Sequence, residues 1–395
     1  MGVPNTLTPD LQARRRVPPS LLLGAGGFCA NISWQVVLPI LPLHLSHLGY
    51  NLAEIGILIS SLSLTMGVIE LYAGPIVGAF GRRWALIGGY SANAVCLALA
   101  GMARTTGMVA SALAAIGAAK AIFVPPLHAT VAESSTASTR GQVFGMYWLW
   151  ASAGTLVGPA IGGVIAAKYG DRAPFFVGSA FSIVALPIVA AVAAPRSSSP
   201  RAPMGDVVEL LGDAGILRLC IATLLCFSIT GIWTTFLPLY ISRQGISVLI
   251  VGSVFTVQGL LYVLMQVPAG RLVHQMRGGW LALLGIAGIT GVVLLIPSIH
   301  APAAFLVAGA VYGAAFGSIP VTFATFVTWF APRAKYTTAM GVFNSAIDFG
   351  LFVGPLLGGV AAFINTLAPF LLALPLGLAA VLISLSVVGS ARRRG

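Results

Sequence analysis

Apolar runs of about 20 residues or more follow one another along nearly the whole chain, separated by short polar breaks. A helix needs roughly 20 apolar residues to cross the hydrocarbon of a bilayer. Lipid leaves only helices and closed barrels as spanning structures, because backbone groups must be satisfied internally. These runs are long and do not alternate with polar residues, so they predict helices. Spans are expected near 20–43, 52–79, 84–103, 107–131, 141–166 and 174–194, and again near 214–241, 249–270, 280–298, 303–330, 337–363 and 368–389. The most polar internal stretch, PRSSSPRAPMGDVVELLGDAG, separates the two sets and reads as a linker over 195–213. The expected organisation is a tail at 1–19, a six-helix bundle at 20–194, the linker, a second bundle at 214–389 and a tail at 390–395. The fold class is an all-α membrane protein of twelve spans.

The two sets are related in sequence. An offset of 196 residues pairs Leu41-Pro42-Leu43 with Leu237-Pro238-Leu239, Gly56 with Gly252, Gly74 with Gly270 and Trp84 with Trp280. The same offset pairs Gly154, Gly158, Pro159, Gly162 and Gly163 with Gly350, Gly354, Pro355, Gly358 and Gly359. Shared hydrophobicity does not account for one fixed offset that matches mainly Gly, Pro and Trp. It indicates two parallel, pseudo-symmetric six-helix repeats, the arrangement that serves alternating access around a central site.

Composition sharpens this picture. Hydrophobic residues make up 58% of the chain and Asp, Glu, Lys and Arg only 8%, where a soluble domain carries about 25% charged residues. The net charge of +12 reads as topology rather than nucleic-acid binding. Sixteen of the 21 Lys and Arg residues fall on the side of the termini, which places both termini in the cytoplasm. The first residues carry an Arg cluster, Arg14–Arg16, with no cleavage site, and read as a cytoplasmic tail rather than a signal peptide. Cys29, Cys96, Cys220 and Cys226 lie inside apolar runs without metal-ligand spacing. No phosphate-cradling loop, nucleophile elbow or zinc-binding HExxH is present in the sequence, so neither an enzyme nor a cofactor or metal is expected. Energy then has to come from an ion or substrate gradient.

The strongest motif is GTLVGPAIGG at Gly154–Gly163, repeated as GLFVGPLLGG at Gly350–Gly359. Glycines at helical spacing let two backbones approach closely in lipid, and the proline bends the helix. The pattern resembles motif C, GxxxGPxxGG, of the major facilitator superfamily. Pro39-Ile40-Leu41-Pro42 resembles the P-v-x-P end of a first-helix motif in its twelve-helix drug antiporters. The segment Gly74 to Arg83 resembles motif A, GxxxDRxGRR, keeping Gly74, Gly81, Arg82 and Arg83 but carrying Gly78 and Ala79 where the motif has its Asp and first Arg. The resemblance covers all twelve spans. It implies the major facilitator fold and, through motif C, drug:proton antiport.

A charge within a span costs about 2.5–3.5 kcal/mol on insertion scales and is a functional candidate by default. Of nine carboxylates, Glu70 and Asp348 alone lie well inside spans. In the superfamily, helices 2 and 11 flank each other across the interface between halves, so the resemblance puts both near that seam, at depths one or two turns apart. One or both are candidates to carry a coupling proton; the competing role is a helix cap or an ion pair with Arg82 or Arg83. Lys120, near the middle of helix 4, is either an anchor for an anionic substrate group or half of an internal ion pair.

Other polar and aromatic residues fall on helices that line the cavity in the superfamily. They are Asn31, Trp34 and Gln35 on helix 1, His128 on helix 4, Trp148 on helix 5, Thr230, Trp233 and Thr234 on helix 7, Tyr312 and Phe316 on helix 10, and Asn344 on helix 11. An aromatic pocket with sparse polar groups suits hydrophobic organic molecules, although the same aromatics serve ordinary helix packing. The sequence therefore points to a monomeric, multi-pass exporter in a bacterial inner membrane, exchanging small hydrophobic compounds for protons. The alternatives are a transporter of a specific organic anion or sugar, and a membrane receptor or scaffold without transport.

Overall fold

The computed structural model describes residues 19–133, 140–192, 204–275, 279–332 and 335–394. The first half comprises α1 (Pro19–Gln35), α2 (Leu41–His47), α3 (Leu52–Phe80), α4 (Arg82–Met102), α5 (Thr106–Glu133), α6 (Arg140–Tyr169) and α7 (Ala173–Val192). A short α8 (Met204–Gly212) follows, and the second half comprises α9 (Ala214–Arg243), α10 (Val248–Gln275), α11 (Gly279–Leu295), α12 (Pro302–Phe330), α13 (Tyr336–Ala362), α14 (Ala368–Leu371) and α15 (Ala373–Arg394). The tail to residue 18, linker residues 195–203, and Arg14–Arg16, Arg196, Arg201, Arg277 and Arg333 lie outside the described residues.

Eleven crossings are long and apolar enough to span a bilayer among the described residues, and their ends match the expected spans closely. The first crossing differs, because 20–43 is not one helix. It breaks over Val36–Ile40 into α1 and α2. Pro39 has no N–H for the Gln35 carbonyl and Pro42 none for that of Leu38. The bonds from Leu38 N to Trp34 O and from Leu41 N to Val37 O, both 2.8 Å, carry the chain through the break. The repeat-equivalent helix α9 keeps one of these prolines, Pro238, has Thr235 at the other position, and stays continuous.

The polar linker also holds a helix where the sequence pattern predicts none. Within α8 Leu210 is buried, and Glu209 pairs with Lys335 at the start of α13. Asp213 then caps α9, accepting from the backbone N–H of Gly215 at 2.8 Å and of Ile216 at 3.2 Å. The turn from α3 to α4 takes a single residue, Gly81, at φ 82°, a conformation that favours glycine.

The halves meet along two seams, α3 against α13 and α6 against α10. The repeated glycine motif builds both. In the first half, Gly154 and Gly158 pack on Asn31 and Gln35 of α1, and Gly162 on Val36. The tenth position, Gly163, faces Gly252 of α10 across the seam, where a Cβ on Gly252 would stand 2.7 Å from the Pro159 carbonyl oxygen. In the second half, Gly350 and Gly354 pack on Phe227 and Ser228 of α9, and Gly358 on Phe236. Gly359 and the Pro355 carbonyl face Gly56 of α3, where any Cβ would collide with that oxygen. One face of each motif helix thus joins its own bundle while the adjoining face joins the other half. Both close contacts lie toward the end of the bundle that carries α2; the opposite end carries α8.

Candidate functional site

Halfway along the α3/α13 seam, three charged side chains come together. Asp348 is 7% exposed, and its Cβ lies 3.4 Å from where a side chain on Gly67 would begin. Glu70, one turn beyond Gly67, lies within electrostatic reach of Asp348. The two carboxyls therefore lie close together along the seam, Glu70 about one turn from the level of Asp348. Lys120 of α5 lies within electrostatic reach of both. Gly117, one turn before Lys120, sets α5 against the Leu62 backbone of α3, which brings the ammonium to the seam. That ammonium also sits 4.5 Å from the centre of the Trp34 ring, a cation–π arrangement. Trp34 stands at the end of α1, and its carbonyl accepts the bonds that bridge the proline break.

The arrangement has a definite chemistry. Two ionised carboxylates brought together away from water repel each other, and a nearby cation offsets that repulsion, so the cluster is a candidate proton site. Three of the four groups belong to the first half and Asp348 to the second, so the cluster bridges the halves.

A second cluster occupies the other bundle. Trp233 and Tyr312 stack with ring centres 4.1 Å apart and planes inclined by 10°. Trp233 donates its indole N–H to Gln258 Oε1 at 2.8 Å, and Tyr312 its hydroxyl to Thr230 Oγ1 at 3.0 Å. Phe316 continues the stack between Tyr312, at 6.0 Å, and Tyr262, at 5.6 Å. The sequence placed Trp233, Thr230 and Tyr312 on a cavity wall. The structure encloses all three and engages their polar atoms with each other or with Gln258, because stacking two large rings removes both from solvent. Thr234 donates to the Thr230 carbonyl. Phe316 is partly buried.

The remaining predicted residues are spread out. Asn31 and Gln35 face α6 at the glycine motif, and Asn31 Oδ1 accepts from Thr155 at 3.5 Å. His128 and Trp148 contact each other, ring centres 5.5 Å apart. His128 is eight residues beyond Lys120, about 12 Å along an ideal helix, so it does not join the charged cluster. Asn344 is exposed, one turn before Asp348. Gly74 lies within α3, Arg82 is buried, and Arg83 is exposed at the start of α4. Gln258 and Tyr262 went unremarked in the sequence. Their signal was available, because Gln258 is a polar residue within an apolar span.

At the α2 end a further polar group was also missed. Asp171 Oδ2, in the α6–α7 turn, accepts from Nδ1 of His44 at 3.2 Å and from Nδ1 of His47 at 3.0 Å. The hydrogen bond from His44 holds the Asp171 carboxyl well below the usual carboxylate range; partial burial opposes it and the bond from His47 adds to it. A cavity of about 210 Å³ beside it is lined from both halves, by His47 and Asp171 on one side and Ser242 and Val248 on the other.

Comparisons with known proteins agree with this architecture. Multidrug resistance protein MdtG of Escherichia coli O9:H4 is 26% identical over 351 residues, covering 84% of this chain and 85% of that protein. Multidrug resistance protein 1 of Bacillus subtilis is 28% identical over 158 residues, 40% of each chain. Among solved structures, the nucleoside transporter NupG aligns with a TM-score of 0.76 at 14% identity, covering 94% of this chain and 98% of that one. The human organic anion transporter MFSD10 aligns with a TM-score of 0.69 at 18% identity, covering 93% and 100%. These two likenesses carry the fold alone. The sequence model of the Major Facilitator Superfamily matches residues 23–355 and 219–394. With eleven membrane-length apolar helices among the described residues and a family match that covers most of its length, the chain is a multi-pass membrane transporter that belongs to the Major Facilitator Superfamily.

Proposed function

We propose that this transporter exports small hydrophobic organic compounds in exchange for protons. The observation that carries the reading is the Glu70–Asp348 pair, two carboxyls brought together between α3 of one half and α13 of the other and so placed to share a proton. With the proton in place the seam is tied. Without it, two like charges face each other in a low-dielectric site and repel, so protonation state and helix separation are linked. At the end of the aromatic stack, Phe316 is only partly buried and leaves apolar surface, which suits hydrophobic cargo. Relatives named as multidrug resistance proteins support the same substrate class.

Orientation follows from the charge census: the linker end, with both termini, faces the cytoplasm of a bacterial cell. In that orientation the close glycine contacts lie toward the extracellular end. The protein works as a monomer in this reading, since each six-helix half finds its partner within the chain.

The test is pH-gradient-driven transport in reconstituted vesicles. Glu70→Gln and Asp348→Asn are each expected to lower gradient-driven flux at least tenfold while leaving the protein folded. Undiminished coupling in both variants would remove the carboxyl pair from the mechanism.

A further inference from the structure

The charged cluster is complete without a ligand. Lys120 sets its positive charge within electrostatic reach of both carboxyls. The ammonium does more than balance charge, because it rests 4.5 Å over the Trp34 ring. An aromatic face beside a carboxylate is a combination that recognises organic cations. Here both parts are already engaged, by a side chain of the protein itself.

We propose that Lys120 is a tethered cation that occupies the place an organic monocation would take between Trp34 and the Glu70–Asp348 pair, so that it excludes cationic cargo and selects uncharged hydrophobic compounds. The inference rests on the proton-sharing pair invoked for transport, and it names the substrate class of that site. The geometry around Lys120 supports it. Gly117 holds α5 close to the Leu62 backbone of α3, which places Lys120 at mid-span beside the seam. The repeat-equivalent position in α12 is Phe316, which stacks within the aromatic column. The fold therefore accepts an apolar side chain at this register, and the cation is a feature of this position rather than of the repeat. A second consequence concerns anions. An ammonium seated over a ring and within the field of two carboxyls is disfavoured as an anchor for an anionic substrate.

The experiment measures binding to purified protein in detergent, with two ions of one size and shape and opposite charge, tetraphenylphosphonium and tetraphenylborate. Lys120→Met keeps an unbranched side chain and removes the charge; Lys120→Arg keeps the charge. Tetraphenylphosphonium is expected to bind Lys120→Met at least tenfold more tightly than it binds the wild type or Lys120→Arg. Adding Asp348→Asn to Lys120→Met is expected to abolish that gain. Equal affinity of wild type and Lys120→Met for tetraphenylphosphonium, with both proteins melting at similar temperatures, would overturn the proposal. So would tight wild-type binding of tetraphenylborate that Lys120→Met loses, because Lys120 would then be an anion anchor. If Lys120→Met does not fold, Lys120→Gln carries the same comparison. Because binding is read without a gradient, a failure of proton coupling in Glu70→Gln and Asp348→Asn remains distinguishable from a failure here.

Discussion

Toward the α2 end the two seams between the halves are nearly interchangeable. Gly56 meets Pro355 and Gly359 in one, and Gly252 meets Pro159 and Gly163 in the other, each pair related by the same 196-residue offset. At mid-span they part. Where the α3/α13 seam has Glu70 and Asp348, the α6/α10 seam has Gln266 and Ser152, and where α5 has Lys120, α12 has Phe316. The repeat fixes where backbones touch, and close contact needs glycine on both seams because no other residue leaves room. The charges are not repeated. Nothing in helix packing asks for them, and each one costs free energy in a span, so their presence on one seam only marks the place where chemistry was added to a symmetric scaffold.

The largest effect is expected from putting charge on the neutral seam. Ser152→Asp places a carboxylate opposite Gln266 with no ammonium nearby, at a cost of about 2.5–3.5 kcal/mol on insertion scales. Its melting temperature and its yield in membranes are expected to fall well below those of the wild type. Adding Phe316→Lys is expected to recover part of the loss. An Ser152→Asp protein as stable as the wild type would mean that the neutral seam already tolerates charge, and the contrast between the seams would then carry no functional meaning.

A smaller effect tests what the seams share. Gly56→Val and Gly252→Val each force a side chain into backbone, and overpacking of this kind costs about 1–3 kcal/mol. Both variants are expected to melt lower, with Gly56→Val the more severe because a Cβ there has the closer approach. Loss at one position and none at the other would show that the two close contacts are not equivalent. Neither variant touches the carboxyl pair, so binding of a proton-linked ligand in the surviving folded protein is expected to keep its dependence on Asp348.

The sequence carried the scaffold well and the site only in part. Spans could be located because lipid demands long apolar helices. The repeat could be located because Gly and Pro recur at one fixed offset, which apolar composition alone does not produce. Glu70, Asp348 and Lys120 stood out as charges in apolar runs, and their spacing alone could not bring them together at one place on the seam. That depends on Gly67 and Gly117 letting helices close, which is a tertiary fact. The break after Trp34 was hidden because prolines are tolerated inside membrane helices when neighbours re-satisfy the freed carbonyls; two of them three residues apart exceed what one helix accepts, and the single Pro238 of α9 does not. The enclosure of Trp233 and Tyr312 was not legible, since a period of i, i+3 and i+4 gives a face but not what covers it.

The same contrast between halves extends to the α2 end and gives the smallest expected effect. At the positions equivalent to His44, His47 and Asp171, the second half has Tyr240, Arg243 and Leu367. Tyr240 instead donates its hydroxyl to the Pro297 carbonyl at 2.9 Å. The Asp171 bonds therefore tie the detached helix α2, which exists only in the first half, back onto its own bundle. Because the Asp171 carboxyl is depressed in the folded protein, its contribution is complete above the ordinary carboxylate value of about 4 and is lost as the pH falls through the lower folded value. His47 is exposed, so solvent screening keeps the contribution under about 1 kcal/mol. Asp171→Asn is expected to melt slightly below the wild type at pH 7, with the gap constant down to about pH 5 and closing below about pH 4. A gap absent at every pH would mean that packing of α2 on α9 holds the broken crossing in place without Asp171.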